Sequence, residues 1–385
     1  MKINKHCFPN GLRLVHYEDT STQMVALNIV YDVGARDEHP EHTGFAHLFE
    51  HLMFGGSAHI PDYDTPLQLA GGENNAWTNN DITNYYLTVP KPNVETAFWL
   101  ESDRMLELAF SEQSLEVQRG VVMEEFKQRC LNQPYGDVGH LFRPLAFRVH
   151  PYRWPTIGKE LSHIEQATLD EVKSFFYRFY APNNAVLAVT GNISWDETVK
   201  LTEKWFAPIP RRDVPVRQLP QEPEQTQERR LTVERNVPLD ALFMGYHMCS
   251  REGADYYAFD ILSDILSNGR SSRLNRRLVQ EQNIFSGIDA YISGTRDAGL
   301  LQISGKPAAG VSLEQAEAAV RKELEELQRS PVDGQELEKV KNKFESTQIF
   351  GNINYLNVAT NLAWFELTGK AEDIDLEVER YRSVT

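Results

Sequence analysis

The order of elements in the first third of the chain recurs beyond its middle, and this recurrence limits the fold more than any single motif. MVALNIVYDVGA (24–35) is rich in β-branched and aromatic residues and reads as a strand. GFAHLFEHLMFGGS (44–57) follows as a helix. A polar, Gly-rich stretch, GGENNAWTNNDITNYY, then runs into a strand over Tyr85–Val89. Two helices come next, one from Val94 to Phe110 and one over 112–131. The second half repeats the order: DALFMGYHMCS (240–250), YAFDILSDILSNGRSS (257–272), LLQISGKP (300–307), a helix over Leu313–Leu327 and GQELEKVKNKFESTQ (334–348). This is one α+β unit used twice. The expected fold is therefore α+β, with two homologous α/β-sandwich-like domains, each a mostly antiparallel sheet with helices packed on it. The chain has 385 residues, enough for both cores.

Five prolines between Pro208 and Pro223 sit among Arg, Gln and Glu, and no periodic pattern survives there. The expected boundaries are thus an N-terminal domain over 1–207, a Pro-rich linker over 208–229 and a C-terminal domain over 230–385. The first copy opens with a strand over 10–18. Past its shared elements it has a helix over Thr168–Tyr180, an apolar strand over Ala185–Thr190 and a helix capped by Ser194. The second copy stops at Thr385, opposite the start of that run, so a longer natural protein is expected.

The two copies differ at one place that carries chemistry. His47, Glu50 and His51 in the first helix align with Asp260, Ser263 and Asp264 in the second. Residues at i, i+3 and i+4 share a helix face, so His-x-x-Glu-His turns two imidazoles and one carboxylate the same way. Two neutral imidazoles at this spacing can hold Zn²⁺, with the carboxylate left to move a proton. A helix needed only for packing does not require these side chains, as the second copy demonstrates. Thr43 is the expected cap at the helix start, and Gly55-Gly56 the expected stop.

A catalytic zinc needs one more protein ligand. Cys7, Cys130 and Cys249 are scattered and form no CxxC, which suits free thiols in a reducing compartment and removes cysteine as a ligand source. The helix over 112–131 offers Glu116, Glu124 and Glu125. If Val117, Val121 and Val122 define its buried side, Glu125 leans toward that side and Glu124 sits farther round, which favours Glu125 while leaving Glu124 open. A net charge of −16 with no basic block argues against nucleic acid as a partner. No segment has the length or apolarity of a signal peptide or membrane span, so the default expectation is cytoplasmic.

HLFEH, the later QRGVVMEEF and the doubled unit together resemble the pitrilysin (insulinase) family of zinc metallopeptidases, over nearly the whole chain. The resemblance implies one Zn²⁺ per chain on His47, His51 and Glu125, with Glu50 as general base. It places Gln118 where the family carries a glutamate that orients the site, a departure that leaves the charge behind the ligands open. Asn75-Ala76-Trp77-Thr78 matches a family segment leading an edge strand that pairs with extended peptide substrate. His150-Pro151-Tyr152 matches a segment taken as structural. In the second half, Val279 and Ser286 occupy positions where the family carries an Arg and a Tyr that reach substrate. The resemblance therefore implies an endopeptidase that works with a homologous partner chain bearing that Arg and Tyr, or as a homodimer lacking both. The competing expectation is a non-catalytic scaffold subunit, which would have no need of all three side chains.

Overall fold

Six strands build the first sheet: β1 (Asn4–Cys7), β2 (Arg13–Glu18), β3 (Met24–Tyr31), β4 (Glu73–Thr78), β5 (Thr83–Pro90) and β6 (Ala185–Gly191), in the order β1-β2-β6-β3-β5-β4. Only β2 and β6 run parallel; every other pair is antiparallel. The computed structural model describes residues 1–385 and divides into two compact units. The first comprises Met1–Thr226 and Gly351–Asp375; the second comprises Gln227–Phe350 and Leu376–Thr385.

Alternation along β3 sorts the first unit's two cores. Val25, Leu27, Ile29 and Tyr31 face one side with Tyr85, Leu87, Val89, Leu187 and Val189. There they meet the helix Phe45–Leu52, here α1, and the helices Val94–Leu106, Leu169–Phe179 and Trp195–Trp205. Ala26 and Val30 face the other side with Val15, Val186 and Ala188. That side is covered by the helix Tyr355–Thr368, through Val358, Ala359, Leu362, Ala363 and Leu367. The small alanines on sheet and helix allow close approach, and the buried polar positions are paired: Asn28 with Asn84 and the Thr360 hydroxyl, and Thr190 with the Tyr355 carbonyl. This helix corrects the expected 230–385 boundary, because it lies late in the sequence and closes the first sheet.

The second unit carries β7 (Leu242–Met248), β8 (Phe285–Ile292) and β9 (Gly299–Pro307), antiparallel in the order β7-β9-β8. This repeats the β3-β5-β4 arrangement of the first sheet. The helix Tyr256–Ser267 follows β7 as α1 follows β3, so the duplication read from the sequence holds in topology. Helix Leu313–Arg329 packs Ala316 and Val320 into the same core as Leu266, Ile288 and Ile303. No helix of either unit is long and apolar enough to cross a membrane.

The Pro-rich stretch has no regular structure, but it is pinned to the first unit. Arg217 Nε donates to Asp37 Oδ1 at 2.6 Å and Nη2 to the Asp32 carbonyl at 2.9 Å. Glu222 accepts the backbone N–H groups of Arg148, Val149 and His150 at 2.8, 2.9 and 3.0 Å. A linker composition here yields a fastened strap, because two charged side chains find fixed partners.

The start of α1 also departs from expectation. Thr43 does not cap it; its Oγ1 accepts the Lys159 N–H at 2.7 Å and lies 2.8 Å from His163 Nδ1. The N-cap is Gly44 at φ +88, where a Cβ would meet Ile164 Cδ1 at 2.7 Å. The helix amides are met instead by Glu38, whose carboxylate accepts from Gly44 N and Ala46 N, both at 2.9 Å. Burial raises Glu38 from the ordinary carboxylate value to about 8, with the two amides pulling the other way. Between about pH 4.5 and 8 the native state holds a proton that the unfolded chain has released, so stability falls as pH rises through that window. Glu38→Gln should flatten that slope in denaturant titrations at several pH values. It should also cost about 1–3 kcal/mol, because the amide NH₂ cannot accept the second helix N–H.

Candidate metal centre

Two elements supply the site. On α1, Phe45, Leu48, Phe49 and Leu52 face the core, and this anchors the helix by its apolar side. Tyr85 of β5 ties it to the sheet by donating to the Phe49 carbonyl at 3.2 Å. His47 is buried and His51 partly so, their rings edge to face at 4.9 Å between centroids. The facing helix, Glu112–Phe126, is capped by Ser111, whose Oγ accepts the Ser114 N–H.

Its buried stripe is Leu115, Val122 and Phe126, not the expected valine set; Val117 and Val121 are 55% and 47% exposed. At 100° per residue, Glu125 stands about 80° from the centre of that stripe and Glu124 about 180°. Glu125 therefore sits on the flank that meets α1, while Glu124 points to solvent and pairs loosely with Lys127 at 3.8 Å. Beyond Phe126 the helix widens into a π turn over Lys127–Leu131 in place of continued α-helix.

Glu125 Oε2 lies 3.5 Å from His47 Nε2 and 3.3 Å from His51 Nε2. Around an ion with bonds of about 2.0–2.1 Å, the edge of a tetrahedron is about 3.3 Å, which is close to both Glu125–histidine separations. The ligand atoms all lie within 4.8 Å of one another, and no other His, Cys, Asp and Glu group in the chain gathers this way. The donor set is two nitrogens and one oxygen, which suits zinc and leaves a fourth position to solvent. Burial lowers His47 to about pH 4, so its imidazole is neutral at pH 7 and keeps a lone pair. Glu125 is held below the ordinary carboxylate value, first by its hydrogen bond with His51, with His47 and Arg129 adding to the effect.

Glu50 stands apart from that trio. Burial raises it above the ordinary carboxylate value, while the Thr78 hydroxyl and His51 favour its ionised form. Thr78 is the last residue of β4, which is the free edge of the first sheet. Along that edge Asn75 and Trp77 are exposed, whereas Ala76 and Thr78 alternate toward the α1 side. Asn75 Oδ1 accepts the Ala76 N–H at 2.8 Å. The polar stretch expected to lead into a strand is thus itself a strand.

Not every expected residue joins the cluster. Gln118 lies near Gly55 and makes no hydrogen bond to either histidine, Glu50 or Glu125. The buried His47 Nδ1 has no hydrogen-bond partner, so packing and the Glu125 carboxylate opposite Nε2 orient that ring. Tyr152 of His-Pro-Tyr is buried and donates to Asp81 Oδ1, which ties it to the β4–β5 turn. Arg129 was missed by the sequence reading: its Nη2 lies 3.0 Å from Glu125 Oε1, an i, i+4 pair that helix spacing could have suggested.

Comparison with known proteins decides the kinship. Residues 13–137 match the family model described as insulinase (peptidase family M16), and residues 166–344 match the peptidase M16 inactive domain. The chain belongs to the pitrilysin, or insulinase, family of peptidases. Among its relatives is the zinc protease PqqE of Helicobacter pylori, 29% identical over 338 residues that cover 86% of this chain and 76% of the relative. Another is the uncharacterized zinc protease YmxG of Bacillus subtilis, 25% identical over 347 residues, covering 90% and 83%. A crystallised protease from Helicobacter pylori superposes with a TM-score of 0.94 at 26% identity, covering 100% of this chain and 94% of that one. Pitrilysin shares the fold, with a TM-score of 0.75 at 18% identity over 98% of this chain and 42% of its own.

The M16 kinship agrees with the contrast between the two copies. In the second unit, Asp260 receives the Tyr381 hydroxyl and Asp264 accepts from Asn268 Nδ2 at 2.8 Å. Those carboxylates serve structure where the first copy gathers His47, His51 and Glu125.

Proposed function

We propose that this chain is a zinc-dependent endopeptidase acting on peptides or short unfolded polypeptides. The observation that carries the reading is the convergence of His47, His51 and Glu125, with ligand atoms within 4.8 Å of one another, in a chain of the M16 family. These three residues would hold one zinc ion. When bound, the ion supplies Lewis-acid activation of water and of the scissile carbonyl. Glu50, beside but outside the ligand set, accepts the proton of the attacking water and delivers it to the leaving amine. Its raised pKa suits both halves of that transfer. The free edge of β4 takes up an extended substrate by backbone pairing, with Asn75, Ala76, Trp77 and Thr78 along it.

The second unit contributes no Arg or Tyr at the positions the family uses. Val279 lies in the turn Asn275–Glu281, and Ser286 on β8 donates to the Lys306 carbonyl at 3.1 Å. The proposal therefore includes a homologous partner chain that brings both side chains to the substrate. The test is zinc content and peptide cleavage by the purified chain, alone and mixed with such a partner. About one zinc per chain and a rise in cleavage of about 100-fold on mixing are expected, the scale set by supplying oxyanion donors. A chain without stoichiometric zinc is a scaffold; a chain fully active alone needs no partner.

A further inference from the structure

The carboxylate of Glu125 has two oxygens and only one faces the histidines. Oε2 lies 3.5 and 3.3 Å from their Nε2 atoms, while Oε1 is turned back to Arg129 Nη2 at 3.0 Å. We infer that Arg129 is a positioning residue, which engages Oε1 so that Glu125 presents Oε2 alone to the ion. The inference rests on the zinc site proposed above and deepens it.

The backbone around Arg129 is fixed well beyond what an exposed surface residue needs. The π turn closes with Asn132 N donating to the Lys127 carbonyl at 2.8 Å. Gln133 Nε2 donates to the Arg129 carbonyl at 2.6 Å, and the next turn packs so tightly that a Cβ on Gly136 would stand 2.3 Å from that same oxygen. Cys130 is buried beside it. A pinned backbone carries a side chain that is 68% exposed yet directed at one oxygen.

Two other effects compete with this one. An exposed ion pair adds little to folding stability, so stability is not what the pair contributes. A guanidinium near a dication also repels it, but that repulsion acts through solvent and is screened by salt. The contact of Arg129 with Glu125 Oε1, at 3.0 Å, is shorter than the screening length even in strong salt, so it survives there. It removes the freedom of Glu125 to swing away, and loss of such outer partners typically weakens metal binding by about 10–100-fold.

The experiment measures zinc affinity by competition with a chromophoric chelator in the full chain, in low salt and in 0.5 M NaCl (about a 4 Å screening length), beside the melting temperature of the metal-free protein. Arg129→Ala should weaken zinc binding by about 10–100-fold in both salts, with the metal-free melting temperature unchanged. Arg129→Lys, which keeps one donor, should recover most of that loss. A change of less than about threefold for Arg129→Ala overturns the inference, as does a loss that disappears in high salt or one accompanied by lower metal-free stability and no rescue by lysine. Wild-type protein that holds no zinc would sink the site itself, and this inference with it, whereas normal wild-type zinc with an indifferent Arg129→Ala sinks the inference alone.

Discussion

Glu50→Gln leaves zinc content at the wild-type level and lowers peptide hydrolysis by about 10²–10⁴-fold or more, the usual contribution of a positioned acid–base group. The two halves of that outcome come from different features. The atoms that could hold the ion belong to His47, His51 and Glu125, and Glu50 is not among them, so binding should survive. The amide has the size of the carboxylate, but it cannot take a proton from water. Metal analysis and an initial-rate assay with a quenched fluorescent peptide check both halves. Cleavage that persists at the wild-type rate removes Glu50 from the base role, and lost zinc would make it a ligand.

The second large effect falls on Glu125. Glu125→Gln replaces a carboxylate, held ionised by its neighbours, with a neutral amide that binds zinc poorly. It also leaves Arg129 facing an amide. Zinc affinity should fall by more than about 100-fold, beyond the range typical of losing an outer-shell partner. Glu124→Gln is the control one residue away. Its side chain points to solvent and touches only Lys127, so affinity should not change. If the Glu124 variant loses metal and the Glu125 variant keeps it, the helix is turned the other way in solution and the ligand set must be redrawn.

Glu125 also illustrates what a sequence of this kind makes legible. The choice over Glu124 came from a stripe centred on valines, yet two of those valines are exposed and Leu115 and Phe126 do the packing. Both stripes contain Val122, so both turn the Glu125 side toward the helix that carries His47 and His51. The His-x-x-Glu-His helix and the doubled unit were readable because they depend on local spacing and on element order. Glu38 was not, since it caps α1 from six residues upstream, across a turn that no capping pattern describes. Composition hid β4, and only the resemblance at Asn75–Thr78 pointed to an edge strand; a strand with one open side has little need of apolar residues. The fastening of the Pro-rich stretch was equally invisible, because it depends on Arg217 and Glu222 meeting partners far away in sequence.

The helix Tyr355–Thr368 ties the two ends of the chain into one folding event. Val15, Ala26, Val30, Val186 and Ala188 form an apolar surface that stays wet until residues some 170 positions later emerge to dry it. During synthesis the first sheet is therefore born with a bare back and waits for the tail of its own polypeptide. A gene cut at the Pro-rich strap would leave that back bare for good, however complete its ligand set.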